Sequence, residues 1–227
     1  MSRGDKMYYT IIGDIKKSKS IKNRLEVQQH LRDILNEINQ QYENELVKQM
    51  FVTLGDEFQG IFNSFDHLFE IMHKIMFHLD PIEIRFGLGL GNILFDQTNQ
   101  DSPYDSDGEA WWFARDAIKE VKENEEKQKI SVTSNIRIKT KDYAFDLVFN
   151  KISDILYTIK SHWTETQRKM IDTILNHYGL SDDFKQVDLA KTLDEAPSSL
   201  NEKLKRSQFY DYASMMRSMS IFVNNRG

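Results

Sequence analysis

Asp56 and Glu57 are the residues of this chain best placed to do chemistry. They follow Gly55 at the tip of a hairpin. Its arms carry Phe51 and Val52 on one side and Phe58, Ile61 and Phe62 on the other, the residue types of a buried sheet. A second aspartate, Asp14, ends an earlier apolar run of Tyr8, Tyr9, Ile11 and Ile12. If those two strands are neighbours, Asp14 and Asp56 stand side by side and repel each other unless a cation lies between them. Asp14 alone would be read as a cap of the loop that follows it. The pair is what points to a shared divalent metal. Glu57, on a regular strand, faces away from Asp56 and is given a solvent or supporting role.

The elements that must position these groups follow from hydrophobic spacing. Residues 7–15 are almost continuously apolar, as in a strand buried on both faces. A loop from Lys16 to Ser20 follows, with Ser20 as the expected N-cap of a helix. Leu25, Ile34, Leu35, Ile38 and Tyr42 then recur at helical spacing to about residue 44. The hairpin fills about 46–63. A helix over about 64–79 carries Phe65, Leu68, Phe69, Met72 and Ile75, and Pro81 ends it. Residues 82–94 read as another strand, in which Gly87, Gly89 and Gly91 alternate with apolar residues. That alternation lacks the strand-turn-helix setting of a dinucleotide fingerprint. It predicts close packing by a helix or by a second copy. A polar loop over 96–108, a helix over about 108–125, short strands at 130–133 and 136–139 and a helix over about 142–160 complete this part. Trp111 and Trp112 are adjacent on their helix, so only one of them faces the core. His67, His73, His78 and His177 show no metal-ligand spacing and are expected at the surface or an interface. The order β-α-β-β-α-β is the ferredoxin-like plan, an α+β fold.

Beyond about residue 161 the strand pattern stops. Thr164 caps one helix, and residues 186–193 and 198–206 form two short helices about a turn. Ser198 is the expected N-cap of the second. Leu189, Ala190, Leu193, Leu200 and Leu204 would be their small core. This is a helix-turn-helix pattern, and it divides the chain into domains at 1–160 and 161–227. In that reading Ser199, Asn201, Lys203, Lys205 and Arg206 contact DNA. Residues 161–227 carry nine basic and nine acidic side chains, which offers little phosphate neutralisation. A protein partner is therefore an equal candidate.

Composition bounds the rest. A hydrophobic fraction of 40%, with 14 Phe and 9 Tyr, can build a substantial core. The net charge of −5 argues against nucleic-acid binding by bulk electrostatics. With no cysteine there is no disulfide, thiolate metal site or thiol nucleophile. No segment approaches the roughly 18 apolar residues of a membrane helix, and the first apolar run is too short for a signal peptide. These features predict a cytoplasmic protein.

Taken together, Gly13 to Ile15 and Leu54 to Phe58 resemble class III nucleotidyl cyclases and diguanylate cyclases. Arg85 to Gly91 and Gly108 to Arg115 resemble the next strand and helix of those enzymes. More closely, the chain resembles the SatD family of bacterial proteins. The matching residues are Ile12 to Ile15 with Ser18 and Arg24, Leu54 to Gly60, Arg85 to Gly89, and Asp107 to Ala110 with Ala114 and Arg115. The likeness is good over about 7–120 and looser beyond.

The cyclase resemblance implies that Asp14 and Asp56 hold one or two Mg²⁺ or Mn²⁺ ions, with the Ile15 carbonyl as a third oxygen. The metal would bind the triphosphate of a nucleotide. It implies phosphate contacts from Lys16, Lys17, Ser18, Lys19 and Ser20, whose loop opens a helix, and from Arg24. Arg115 matches the arginine that steadies transition-state charge, and a homodimer is implied. Three positions depart from the pattern. Trp111 stands where cyclases commonly have a ribose-orienting asparagine. Val52 stands where adenylyl cyclases read the base with lysine. Leu54 replaces the first glycine of the diguanylate cyclase hairpin. The expectation is a regulatory protein that binds metal and nucleotide. An active nucleotidyltransferase and a ligand-free interaction module are the alternatives.

Overall fold

β1 (Tyr8–Ile15) is the central strand, and its residue types explain why. Ile11 and Ile12 point to opposite faces, and both are fully buried. In the computed structural model, which describes residues 6–53, 55–95, 106–127 and 133–226, β1 is paired along both edges. β3 (Glu57–Phe62) runs antiparallel on one side and β4 (Ile84–Gly91) antiparallel on the other. β2 (Leu46–Val52) pairs antiparallel with β3, while β7 (Ile136–Lys139) pairs parallel with β4. The result is a mixed five-stranded sheet ordered β2-β3-β1-β4-β7. β5 (Leu94–Phe95) and β6 (Ser106–Asp107) form a separate two-stranded ladder. Leu54, residues 96–105 of the expected loop, and residues 130–132 of the expected strand lie outside the described residues.

Helices cover both faces, so the fold is mixed α+β. α1 (Arg24–Gln41) and α2 (Leu68–His78) share one face with the core residues Ile11, Phe58 and Phe86. α3 (Glu109–Lys127) lies on the other face. It comes so close to β4 that a Cβ at Gly89 would stand 2.0 Å from the Ala110 carbonyl oxygen, and one at Gly87 2.3 Å from that of Ala114. The glycine alternation is thus explained by a helix packed directly on the strand. Trp111 is the buried tryptophan of the pair and Trp112 the exposed one.

α4 (Tyr143–Ser161) follows β7 and stacks Phe149 on Phe69 of α2. Then come α5 (Glu165–Tyr178), α6 (Gln186–Thr192), α7 (Pro197–Arg206) and α8 (Phe209–Asn224). Thr164 caps α5 with a full capping box through Gln167, as expected. Two other caps differ. Ser20 ends a short 3₁₀ turn, Ser18–Ser20, and bonds back to the Lys17 carbonyl, so α1 starts only after Asn23. α7 starts with Pro197 at its first position, after Ala196, because the fixed φ of proline suits a helix start. Ser198 is already inside that helix.

The helices after 161 do not stand apart from the sheet. Trp163, Ile171, Leu175, Phe209 and Tyr212 belong to the same hydrophobic cluster as Ile11 and Phe86. His73 of α2, expected at a surface or interface, is completely buried in that cluster. Its Nδ1 lies 2.6 Å from the Phe69 carbonyl oxygen and its Nε2 2.6 Å from the Tyr212 hydroxyl. A carbonyl only accepts, so Nδ1 carries the proton and the Tyr212 hydroxyl donates to Nε2. Desolvation holds the imidazole neutral, with its pKa pushed down to about 3.

Tyr212→Phe leaves Nε2 buried without a donor and is expected to cost about 1–3 kcal/mol in chemical denaturation. The unfolded chain protonates His73 near 6.5 while the folded chain does so only near 3. Stability is therefore lost as pH falls across that window, and His73→Gln should remove that part of the acid sensitivity.

Candidate functional site

The sheet order makes β1 and β3 neighbours, so the two acidic segments meet. Asp14 lies directly across from Glu57 on β3 and from Arg85 on β4. Directly opposed residues of an antiparallel pair point to the same face. The side chains of Asp14, Glu57 and Arg85 therefore share the face covered by α3. Glu57, expected to play a solvent or supporting role, is thus the acid opposite Asp14. Asp56 sits in the hairpin turn, where its carbonyl accepts from the Ile15 N–H at 3.4 Å. Gly55 has a φ of 73°, the left-handed conformation that this turn requires.

Each acid is met by a cation. Arg85 Nη1 donates to Asp14 Oδ2 at 2.8 Å, and Lys122 Nζ stands 3.1 Å from the same oxygen. Arg24 Nη2, from the start of α1, donates to Asp56 Oδ1 at 3.2 Å. Arg115 Nη1 lies 3.9 Å from Glu57 Oε1. Arg85 also bonds Glu125 of α3 through Nε and Nη2, at 3.0 and 2.8 Å. Lys16 pairs with Glu83 at 2.7 Å and stands 3.5 Å from Glu125, the carboxylate that Arg85 also holds. Burial alone would lower the pKa of Lys16 and of Arg85. Hydrogen bonds to their carboxylate partners outweigh it and raise both.

The predicted site residues are therefore only partly assembled. Asp14, Asp56, Ile15, Arg24 and Arg115 gather at this end of the sheet. Lys17, in the left-handed region at φ 53°, and Lys19 and Ser20 are exposed on the 3₁₀ turn, while Ser18 is buried. Sequence reasoning missed Lys122 and Glu125. Both lie on the helix that the β4 glycines admit, one and two turns past Ile118. A helix placed on Gly87 and Gly89 must carry those residues over the strand end. On α7, Ser199, Lys205 and Arg206 are exposed and Asn201 is half-buried. Lys203 is paired with Glu195, and Arg206 stands 3.3 Å from Glu202.

The acids suit a hard divalent cation in kind, because carboxylate oxygens are its preferred ligands. Among the described residues, however, no three acidic or histidine side chains are already grouped as a metal centre. The cations suit an anion. Arg24 Nε is buried with no hydrogen-bond partner, an unmet donor beside Asp56. Among the described residues, no helix is long and apolar enough to cross a membrane.

Arg85 joins β1, β4 and α3 through two carboxylates, and its side chain is only 16% exposed. Arg85→Met is expected to lower stability by about 1–3 kcal/mol in urea unfolding. Lys122→Met, whose side chain is 40% exposed, should cost clearly less.

The model of the SatD family matches residues 8–219. No curated protein matches the chain. Among solved structures, the crystal structure of a regulator of polyketide synthase expression from Bifidobacterium adolescentis is similar over 97% of this chain and 85% of that chain. The identity is 9% and the TM-score 0.27, too low to carry an argument about fold or function.

Proposed function

The chain belongs to the SatD family, and from that premise we propose that it is a regulatory protein whose sheet binds a nucleotide with Mg²⁺ or Mn²⁺ at Asp14 and Asp56. The supporting observation is the ring of Arg24, Arg85, Arg115 and Lys122 around the acids at the ends of β1, β3 and β4. Asp14 and Asp56 would hold the ion in place of their protein cations, and the guanidinium and ammonium groups so released would meet the phosphate oxygens. The ion supplies charge neutralisation at the phosphates when bound. Asp14 and Asp56 hold it, the Ile15 carbonyl is the third oxygen, and Arg24 and Lys122 are the first phosphate contacts.

Binding is favoured over turnover. Trp111 occupies the position of the ribose-orienting asparagine, and its indole N–H is spent on Ser106 Oγ at 3.1 Å. We read the sheet as ferredoxin-like, since β1 to β4 lie in the order β2-β3-β1-β4 with every neighbour antiparallel. We read α6 and α7 as a helix-turn-helix. Two of its basic residues are already paired with acids, which favours a protein partner over DNA. A homodimer belongs to this reading through the cyclase resemblance.

Thermal unfolding with each nucleoside triphosphate, with and without Mg²⁺ or Mn²⁺, tests the proposal. One triphosphate is expected to raise Tm in a metal-dependent way, and Asp14→Asn and Asp56→Asn should each abolish the shift. A shift that both variants retain defeats the shared-site reading. Labelled nucleotide should emerge from chromatography unchanged.

A further inference from the structure

A cavity of about 350 Å³ opens where the loop before β4 meets α2, α4 and α5. It is within the size range of small-molecule sites, roughly 300–1,000 Å³. Asp80, Pro81, Glu83, Ser161 and Arg168 are the exposed part of its lining, and His73 and Ile84 are buried. Met76, Phe77, Ile82 and Ile84 supply apolar wall.

Two features of this cavity lack a partner. The first is the Lys160 ammonium. Its contacts are the Met76 sulfur at 3.0 Å and the Tyr157 ring at 5.3 Å. A thioether is a weak acceptor, and among the described residues no carboxylate lies within ion-pair distance of Lys160. Desolvation pushes its pKa down to about 8, Glu83 opposing and Arg168 adding to the fall. Other charges on the wall do not compensate. Glu83 and Glu125 are engaged by Lys16, and Glu125 also by Arg85. Asp80 is exposed at the mouth. His73, facing in from α2, is neutral. Arg168, from α5, adds a further positive charge. The second feature is Asn135 Oδ1, which is buried with no hydrogen-bond partner, although its amide nitrogen donates to the Ile84 carbonyl at 2.7 Å. A half-buried cation with no carboxylate partner and a buried unmet acceptor both favour a ligand that answers them.

We propose that this cavity binds a small organic anion with an apolar body and an O–H or N–H group. The anionic end meets Lys160 and Arg168, the donor meets Asn135 Oδ1, and the apolar body lies along Phe77 and Ile82. Asp14 and Asp56 do not line this site, which adjoins theirs through Lys16 and Glu125, and the inference does not depend on the nucleotide reading.

Calorimetric titration of the full chain tests it. The probes are 4-hydroxybenzoate, benzoate, phenyl phosphate and the neutral 4-hydroxybenzyl alcohol. At least one anion should saturate, with the carboxylate and phosphate arms identifying the preferred headgroup and the hydroxyl improving affinity. Lys160→Met should weaken that anion by ~10-fold or more, while Lys151→Met, at an exposed position of the same helix, leaves it unchanged. The Lys160→Met variant keeps the volume and removes a desolvated charge, so its Tm should equal or exceed that of the parent, which separates lost binding from lost folding. Lack of saturation by every anion into the millimolar range overturns the proposal. So does equal binding of the neutral alcohol, or undiminished binding by Lys160→Met.

Discussion

The contact on which the candidate site depends is that of α3 with the glycine face of β4. Strand and helix backbones normally stand apart by the thickness of a side chain. Here Gly87 and Gly89 remove it, and the carbonyls of Ala110 and Ala114 fill the place where Cβ atoms would be. Thr10 on β1 secures the arrangement, its hydroxyl donating to the Ala110 carbonyl at 2.6 Å. That register sets the positions of the later helix residues. Arg115 and Lys122, two turns apart, come down over the strand ends, and Glu125 reaches Arg85. A helix set a side chain's width farther out would leave Arg85 and Asp14 to water, where ion pairs contribute little.

This geometry also explains why the site holds carboxylates without having assembled a metal centre. Two acids on neighbouring strands repel, and protein cations relieve that repulsion as well as a metal does. Guanidinium and ammonium groups on three sides give the ends of β1 and β3 local neutrality. The arrangement balances its charges without any added ion. On the nucleotide reading proposed above, Asp14 and Asp56 would exchange their protein cations for the metal and those cations would take the phosphates, so no charge would be left alone in a low-dielectric setting.

Much of the fold was legible in the residues because the signals were local. Continuous apolar runs marked β1 and β4, the Gly55 turn marked the β2-β3 hairpin, and Thr164 marked the start of α5. The neighbour relation of β1 and β3 entered the sequence reading as a condition, and the strand order β2-β3-β1-β4-β7 meets it. The features that stayed hidden depend on residues far apart in sequence. Glu57 lies opposite Asp14 only through strand register. Lys122 is informative only once α3 is known to sit on β4. His73 reads as an ordinary helix residue until Tyr212, 139 positions away, supplies its hydrogen bond. Ser20 and Ser198 are plausible caps by type, but Ser20 belongs to a 3₁₀ turn and the cap positions fall at Asn23 and Ala196.

The same long-range packing limits how ligand occupancy could reach α6 and α7. The Trp163 indole donates to the Ser207 carbonyl at 2.8 Å, Phe65 N–H to Asn224 Oδ1 at 2.8 Å, and Tyr212 to His73. Swinging the segment after 161 away from α2 would expose Trp163, Phe209 and Tyr212, each contributing roughly 1.5–3 kcal/mol by burial, and would unpair His73. A ligand at one hundred times its Kd contributes only about 2.7 kcal/mol. A hinge motion of the whole segment is therefore out of reach for one small molecule. Small shifts of α2, α4 and α5 against one another are within reach, because they repack side chains without exposing them. Those three helices also contribute wall to the Lys160 cavity, so the small-molecule site proposed there would bear on α2 and α4, on which α8, the neighbour of α7, packs.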